Sequence, residues 1–451
     1  MKRKFAYSTT HIILLSFFIA ILAGSILLAL PVSSAGAEAV PYIDALFTAA
    51  TSVCVTGLVT LPTVSTWSFF GQLVILVLIQ IGGLGIVTIM SGLMISLHRR
   101  IGLKDRMLIQ DAFNLNTLSG MVKFIKKVLV GTIVVEGIGA LLCMAVFVPE
   151  HGIRGVWISI FHSISAFCNA GIDILSENSL GDYVLNPIIN GVTALLIILG
   201  GVGYIVWWDM IRVMKKARSQ KLGCLRQLTL HSKIALGVTG ILIFAGAAAF
   251  FLFEFDNPLT IKEYSLLDKL QVSLFQSVTT RTAGFATIPQ QNLTNASAIV
   301  SLLLMFIGGS PVGTAGGIKT VTIAVLFFSA FSTIRNKTEV VLFHRAISRQ
   351  AVSKAVAVIS MSFMILFVST VLLAAVTDAD ALDIVYETVS ATATVGLTRN
   401  LTPILNLWGK LIIIETMYLG RVGPISLVIA FNTKKEMKTV IKYPTEKISI
   451  G

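Results

Sequence analysis

The stretch TATVGL, Thr392 to Leu397, lies between two long apolar runs. A glycine turn in such a place is common, and alone it says little. Three counterparts give it weight: TSVCVTGL at Gly57, SAFCNAGI at Gly171 and TTRTAGF at Gly284. The four glycines, with Gly396 as the last, stand 114, 113 and 112 residues apart, the mark of an internal repeat. Each has a small or polar residue one or two places before it and an apolar residue after it. A second mark follows in every repeat: GGLG from Gly82, GGVG from Gly200, GGSPVG from Gly308 and GRVG from Gly420.

Outward from each glycine the order of segments is the same. An apolar run comes first, at about 12–30, 128–148, 234–253 and 352–376. A shorter amphipathic stretch leads into the glycine, and a second apolar run follows, at about 69–97, 187–213, 296–334 and 408–431. Runs of about 20 residues span a bilayer as helices, whereas a stretch of about 10 suits a re-entrant helix. The first run exceeds the length of a signal-peptide core, which favours an uncleaved helix.

The chain has 451 residues, 55% hydrophobic and 13% charged, a composition of polytopic membrane proteins. Its net charge of +13 is a topology signal rather than a nucleic-acid footprint. Of the 35 Lys and Arg, 27 fall in five clusters, at residues 2–4, 99–127, 212–233, 335–354 and 434–447. With these on the cytoplasmic side, each interval holds an even number of crossings. Two crossings per interval give eight spanning helices, with both termini cytoplasmic. The outer segments carry Asp173, Glu177, Asp182, Glu254, Asp256, Glu263, Asp378 and Asp380, an acidic face that favours cations. The expected fold is therefore an all-α polytopic membrane protein. Its four helix–pore helix–filter–helix repeats surround a pseudo-fourfold pore. The boundaries are 1–98, 99–213, 214–334 and 335–433, followed by a cytoplasmic tail, 434–451.

A glycine-containing turn at this depth has a chemical use. A bare monovalent cation in a low-dielectric medium is prohibitively costly, and main-chain carbonyls aimed at an axis replace its water. By position, the lining is Val55-Thr56-Gly57, Asn169-Ala170-Gly171, Thr282-Ala283-Gly284 and Thr394-Val395-Gly396. Only the fourth reads like a potassium-channel filter, so fewer ordered ion sites are expected than in a tetrameric potassium channel. The C-terminal ends of the short helices add partial negative charge, and Asp44 and Asp383 are candidates to cap their outer ends.

The third repeat is anomalous. Its second run would be a helix near 60 Å long, about twice the hydrocarbon thickness. It is interrupted by GGSPVGTAGG: Gly308, Gly309, Ser310, Pro311, Val312, Gly313, Thr314, Ala315, Gly316 and Gly317. Five glycines and a proline do not sustain a helix. Broken backbone there is tolerable only against protein or a wet cavity, which puts the loop in the pore below the filter. Arg421 lies inside the last apolar run and needs a partner or water. Lys319 closes the loop and either anchors it or snorkels to the inner surface. Glu136 and Glu415 are also mid-run, the first a candidate to steady the filter and the second to pair with a cation.

The chain resembles the Trk/Ktr/HKT superfamily of cation transporters over essentially its whole length. It is most similar to the KtrB type of bacterial potassium-uptake membrane subunit. The strings that carry the resemblance are DALFTAATSVCVTGL, SVTTRTAGF, GGSPVGTAGGIKT, YLGRVGP and YPTEKISIG. The resemblance implies a homodimer of two separate pores in a bacterial inner membrane, contacted by a cytosolic KtrA-like ring of nucleotide-binding subunits. It implies potassium as the transported ion, because sodium-selective relatives carry serine where this chain has Gly57. It also implies that residues 308–317 with Lys319 and Arg421 form a gate. Sodium stays open as an activator, as do sodium-selective and sodium-coupled transport. A glycine-rich scaffold is the remaining rival, though it needs no four filter-like strings in register. No transition-metal or zinc set, cofactor motif, HExxH, phosphate loop or Rossmann fingerprint occurs, so neither an enzyme nor a nucleotide site is expected in this chain.

Overall fold

The computed structural model describes residues 9–36, 39–97, 102–113, 120–217, 227–337 and 339–423. The proposed tail, 434–451, and Cys224 lie outside them. Helices dominate. The first repeat holds α1 (Thr9–Leu28), α2 (Tyr42–Cys54), the one-turn α3 (Thr63–Thr66), α4 (Phe69–Leu84) and α5 (Ile86–Ser96). Next come α6 (Leu103–Phe113), α7 (Met121–His151), α8 (Ile153–Cys168), α9 (Pro187–Val202) and α10 (Tyr204–Ala217). Then follow α11 (Leu230–Glu254), α12 (Leu266–Thr279), α13 (Asn295–Phe306) and α14 (Thr320–Ile334). A small antiparallel hairpin, β1 (Val340–Leu342) with β2 (Arg345–Ile347), precedes α15 (Arg349–Val376), α16 (Ala381–Ala393) and α17 (Leu407–Val422).

Among the described residues, α1, α7, α11 and α15 are long and apolar enough to cross a membrane, and two bent pairs raise the number to six. Their outward faces carry large apolar side chains such as Leu141, Phe244 and Phe363, as a lipid-facing surface should. The chain is a multi-pass helical membrane protein.

Local chemistry explains the boundaries. The helices α4, α9, α13 and α17 each begin at a polar N-cap: Ser68, Asn186, Thr294 and Asn406. Each cap's side-chain oxygen accepts from a backbone N–H in the first turn. At their other ends α4, α9 and α17 stop at Gly85, Gly203 and Gly423, with φ of 82°, 90° and 87°. These are the last glycines of GGLG, GGVG and GRVG. The sequence reading takes 69–97 and 187–213 as continuous runs, but α4–α5 and α9–α10 each bend by 98° there. A left-handed φ cannot continue a right-handed helix, so the glycine redirects the chain.

Packing between repeats is cyclic. α4 lies on α8, α9 on α12, α13 on α16, and α17 returns to α2. The short helices α2, α8 and α16 each lie between the preceding and the following second helix, and α12 packs on α9 and α11.

Candidate functional site

The four turns that follow the inner short helices share one backbone form, reached directly at the C-caps of α2, α8 and α16 and three residues beyond the end of α12. Val55, Asn169, Thr282 and Thr394 take left-handed backbone, with φ of 55°, 59°, 66° and 51°. The next residue's N–H turns back to the helix: Thr56 to Thr51 O, Ala170 to Ser165 O, Ala283 to Thr279 O and Val395 to Ser390 O, at 2.8–3.0 Å. Hydroxyls of the same four helix residues hold the outgoing strand. Gly57 N donates to Thr51 Oγ1 at 2.9 Å and Gly396 N to Ser390 Oγ at 3.0 Å. Ser165 Oγ donates to Ile172 O and Thr279 Oγ1 to Phe285 O, both at 2.6 Å. Positive φ in Val and Thr costs about 1–2 kcal/mol each, so this conformation is imposed by its surroundings. Sequence reasoning placed the unusual dihedrals on the glycines alone; the structure adds them two residues earlier.

The four glycines converge. A Cβ at Gly57 would sit 2.5 Å from Ala170 O, at Gly171 2.5 Å from Ala283 O, at Gly284 2.4 Å from Val395 O, and at Gly396 2.3 Å from Thr56 O. Each glycine therefore abuts the carbonyl of the middle residue in the next turn, and the fourth closes on the first. All twelve residues proposed for the lining lie in these turns and are almost wholly buried. Oγ1 of Thr56 and Thr394 and both polar atoms of the Asn169 side chain have no protein partner among the described residues.

Residues 308–317 lie directly against these turns. Thr314 Oγ1 donates to Phe167 O at 2.9 Å, and Gly316 N donates to Thr282 Oγ1 at 3.2 Å. A Cβ at Gly316 would strike Thr394 Oγ1 at 1.9 Å. The loop also pairs with the bend of the second repeat: Ser310 N to Gly201 O, Thr314 N to Gly200 O and Tyr204 N to Val312 O. Two cations fasten it. Arg421 donates to Thr314 O at 2.7 Å and to Gly82 O at 2.6 Å, tying the loop to the first repeat's bend. Lys319, at the N-cap of α14, donates to Ala315 O at 2.6 Å and Gly316 O at 3.3 Å. Anchoring, rather than snorkelling, is what this side chain does.

Two other expectations change, for the acids of α2 and α16 and for Glu415. Asp44 and Asp383 are not caps; the N-caps are Pro41 and Asp380. They sit in the first turns of α2 and α16 and pair with Lys410 at 2.5 Å and Arg399 at 2.6 Å. Glu136 accepts from Gln80 Nε2 at 3.1 Å and lies by the Cys168 thiol, next to Asn169. Glu415 is exposed on α17 and forms no ion pair among the described residues. Two residues escaped sequence reasoning. Glu387, fully buried in α16, accepts from Thr398 Oγ1 at 2.6 Å and from Thr402 Oγ1, bracing the chain just past Gly396. Arg281 lies buried beside the loop. The signal for both was a charge inside an otherwise apolar repeat.

Outside the spans, Asp173 follows the second turn. Burial pushes its carboxyl up to about 6, opposed by hydrogen bonds from Ser179 and the backbone of Leu175 and Ser176.

The architecture is that of a multi-pass helical membrane protein in which four glycine turns close a ring, with residues 308–317 packed against it. Residues 2–443 match the TrkH family, described as cation transport proteins. The chain is 38% identical to the potassium/sodium uptake protein NtpJ of Enterococcus hirae, over 98% of this chain and 97% of that one. It is 39% identical to the Ktr system potassium uptake protein B of Bacillus subtilis, over 99% and 97% respectively. Its fold is similar to the crystal structure of the potassium transporter TrkH from Vibrio parahaemolyticus, with a TM-score of 0.74, 17% identity, and 96% and 87% coverage. The chain belongs to the TrkH family of cation transport proteins.

Proposed function

We propose that the chain is the potassium-translocating subunit of a Trk/Ktr-type uptake system. Eight membrane crossings surround one pseudo-fourfold pathway in a bacterial inner membrane, with both termini cytoplasmic. The turns centred on Gly57, Gly171, Gly284 and Gly396 are its filter, and their carbonyls replace the water of a potassium ion. The observation that carries this reading is the cyclic approach of each glycine to the next turn's carbonyl. Four backbone segments meet there with no side chain between them. The names of two relatives, one a potassium/sodium and one a potassium uptake protein, support a potassium pathway.

Residues 308–317 close the inner side of the filter. Arg421 and Lys319 occupy three consecutive loop carbonyls, of Thr314, Ala315 and Gly316. A positive charge held there opposes a cation's passage and is withdrawn only with the loop. The protein works as a homodimer under a cytosolic, KtrA-like nucleotide-binding ring, a reading supported by a relative named for a Ktr system. One relative is named for both potassium and sodium, so sodium enters as activator or second ion.

The test is rubidium-tracer uptake into liposomes carrying the purified chain, with potassium and sodium as competitors. Potassium is expected to compete far better than sodium. Absence of uptake by correctly inserted protein refutes the reading, and stronger competition by sodium moves it to a sodium pathway.

A further inference from the structure

Arg281 stands immediately before Thr282, two residues past the end of α12. Its guanidinium is buried, and no carboxylate pairs with it among the described residues. It donates to Gly308 O at 3.2 Å and to Thr239 Oγ1 at 3.4 Å, while its Nε has no partner. A buried charge so thinly satisfied is costly, and a neutral side chain would be cheaper if packing were its only task.

What it grips is the neck of the loop. Ile307 and Ile318 form a parallel bridge, and Ile318 N donates to Phe306 O at 3.1 Å. Gly308 fits so tightly under the returning strand that a Cβ there would lie 2.0 Å from Gly316 O. Both sides of this neck are held by adjacent residues of one turn. Arg281 donates to Gly308 O on the outgoing side, and Thr282 Oγ1 accepts from Gly316 N on the returning side. A small cavity adjoins the guanidinium, lined by Gly201, Val202, Thr239, Ile243 and Gly309.

Resting on the transport reading above, we propose that Arg281 is a positioning residue joining the loop's neck to the third turn. Movement of the loop then carries Thr282 with it. Loop opening and ion preference at the third turn are one event, whereas Arg421 holds the loop at Thr314 and, among the described residues, donates no hydrogen bond to the four turns.

The experiment compares the full chain with Arg281→Met and Arg281→Lys by two readouts in the same preparation: hydrogen exchange of the 308–317 amides, and potassium and sodium uptake. Arg281→Met removes the donors, and exchange in the loop is expected to rise about tenfold. The potassium-to-sodium uptake ratio should fall. Arg281→Lys keeps a charged donor but not the fork, and falls between. If Arg281→Met does not insert, Arg281→Lys must itself exceed the parent by about threefold. In a chain with 308–317 shortened, Arg281→Met should leave the uptake ratio unchanged. Unaltered exchange in an inserted variant, or an equal change of ratio with and without the loop, overturns the inference while a conducting parent keeps the transport reading. A parent that carries no potassium overturns both.

Discussion

Gly57→Ser tests the filter most directly. The new Cβ would lie 2.5 Å from Ala170 O, 3.2 Å from Gly396 Cα and 3.3 Å from Gly171 Cα, all main-chain atoms. No flexible side chain is available to yield. The backbone at Gly57 has φ of +97°, which costs an L-residue about 1–2 kcal/mol before any contact is counted. Overpacking adds roughly 1–3 kcal/mol. The sum, about 2–5 kcal/mol, falls on the Ala170 carbonyl and on the two facing glycines. If the lower figure appears as lost preference at the ion site, potassium-over-sodium selectivity drops about thirtyfold. The assay is competitive rubidium uptake in liposomes, scaled to inserted protein, with potassium-limited growth of a strain lacking uptake systems as a second readout. Gly137→Ala is the control, because nothing lies within 4 Å of its Cβ position. Unchanged selectivity in inserted Gly57→Ser, or an equal loss in Gly137→Ala, refutes the reasoning.

Arg421→Ala removes hydrogen bonds to Thr314 O and Gly82 O and should raise potassium flux about tenfold or more, measured as initial uptake; reduced flux in inserted protein contradicts the clamp. Lys319→Met should act in the same direction, freeing the Ala315 and Gly316 carbonyls. Lys410→Met strands Asp44 at the outer end of α2 and should lower the melting temperature in detergent, with Asp44→Asn in the same chain restoring part of it. Asp173 has a folded-state carboxyl raised to about 6 against an ordinary 3.8. The unfolded chain therefore ionises first, and stability falls as pH rises through that window, by at most about 3 kcal/mol. Asp173→Asn should melt higher than the parent at pH 7.5 and no higher at pH 4, read by thermal unfolding in detergent.

Helical class and apolar runs were plain in the sequence because hydropathy over 20 residues is a strong, local signal. Glycine spacing picked out four positions that the fold brings within contact, and the composition of 308–317 marked a break that the structure has between α13 and α14. Other features depend on neighbours distant in the chain. The bends at Gly85 and Gly203 look like helix interior in a hydropathy profile; only the positive φ of a terminal glycine distinguishes them. Left-handed Val55 and Thr394 contradict their own preferences and are set by hydrogen bonds and packing around them. Asp44 finds Lys410 and Arg281 finds Gly308 across separations that no periodicity encodes. The N-cap assigned to Asp44 failed for a simple reason: Pro41 starts the helix, and the acid falls inside its first turn.

The cyclic apposition has a consequence for how the protein is made. Gly57 and Gly396 touch, yet about three quarters of the chain separates them, so one side of the first turn waits unpartnered until the last quarter of the polypeptide emerges. A truncated or stalled product has three sides of the ring and a gap where the fourth belongs. Closure of the ring is thereby tied to completion of the chain.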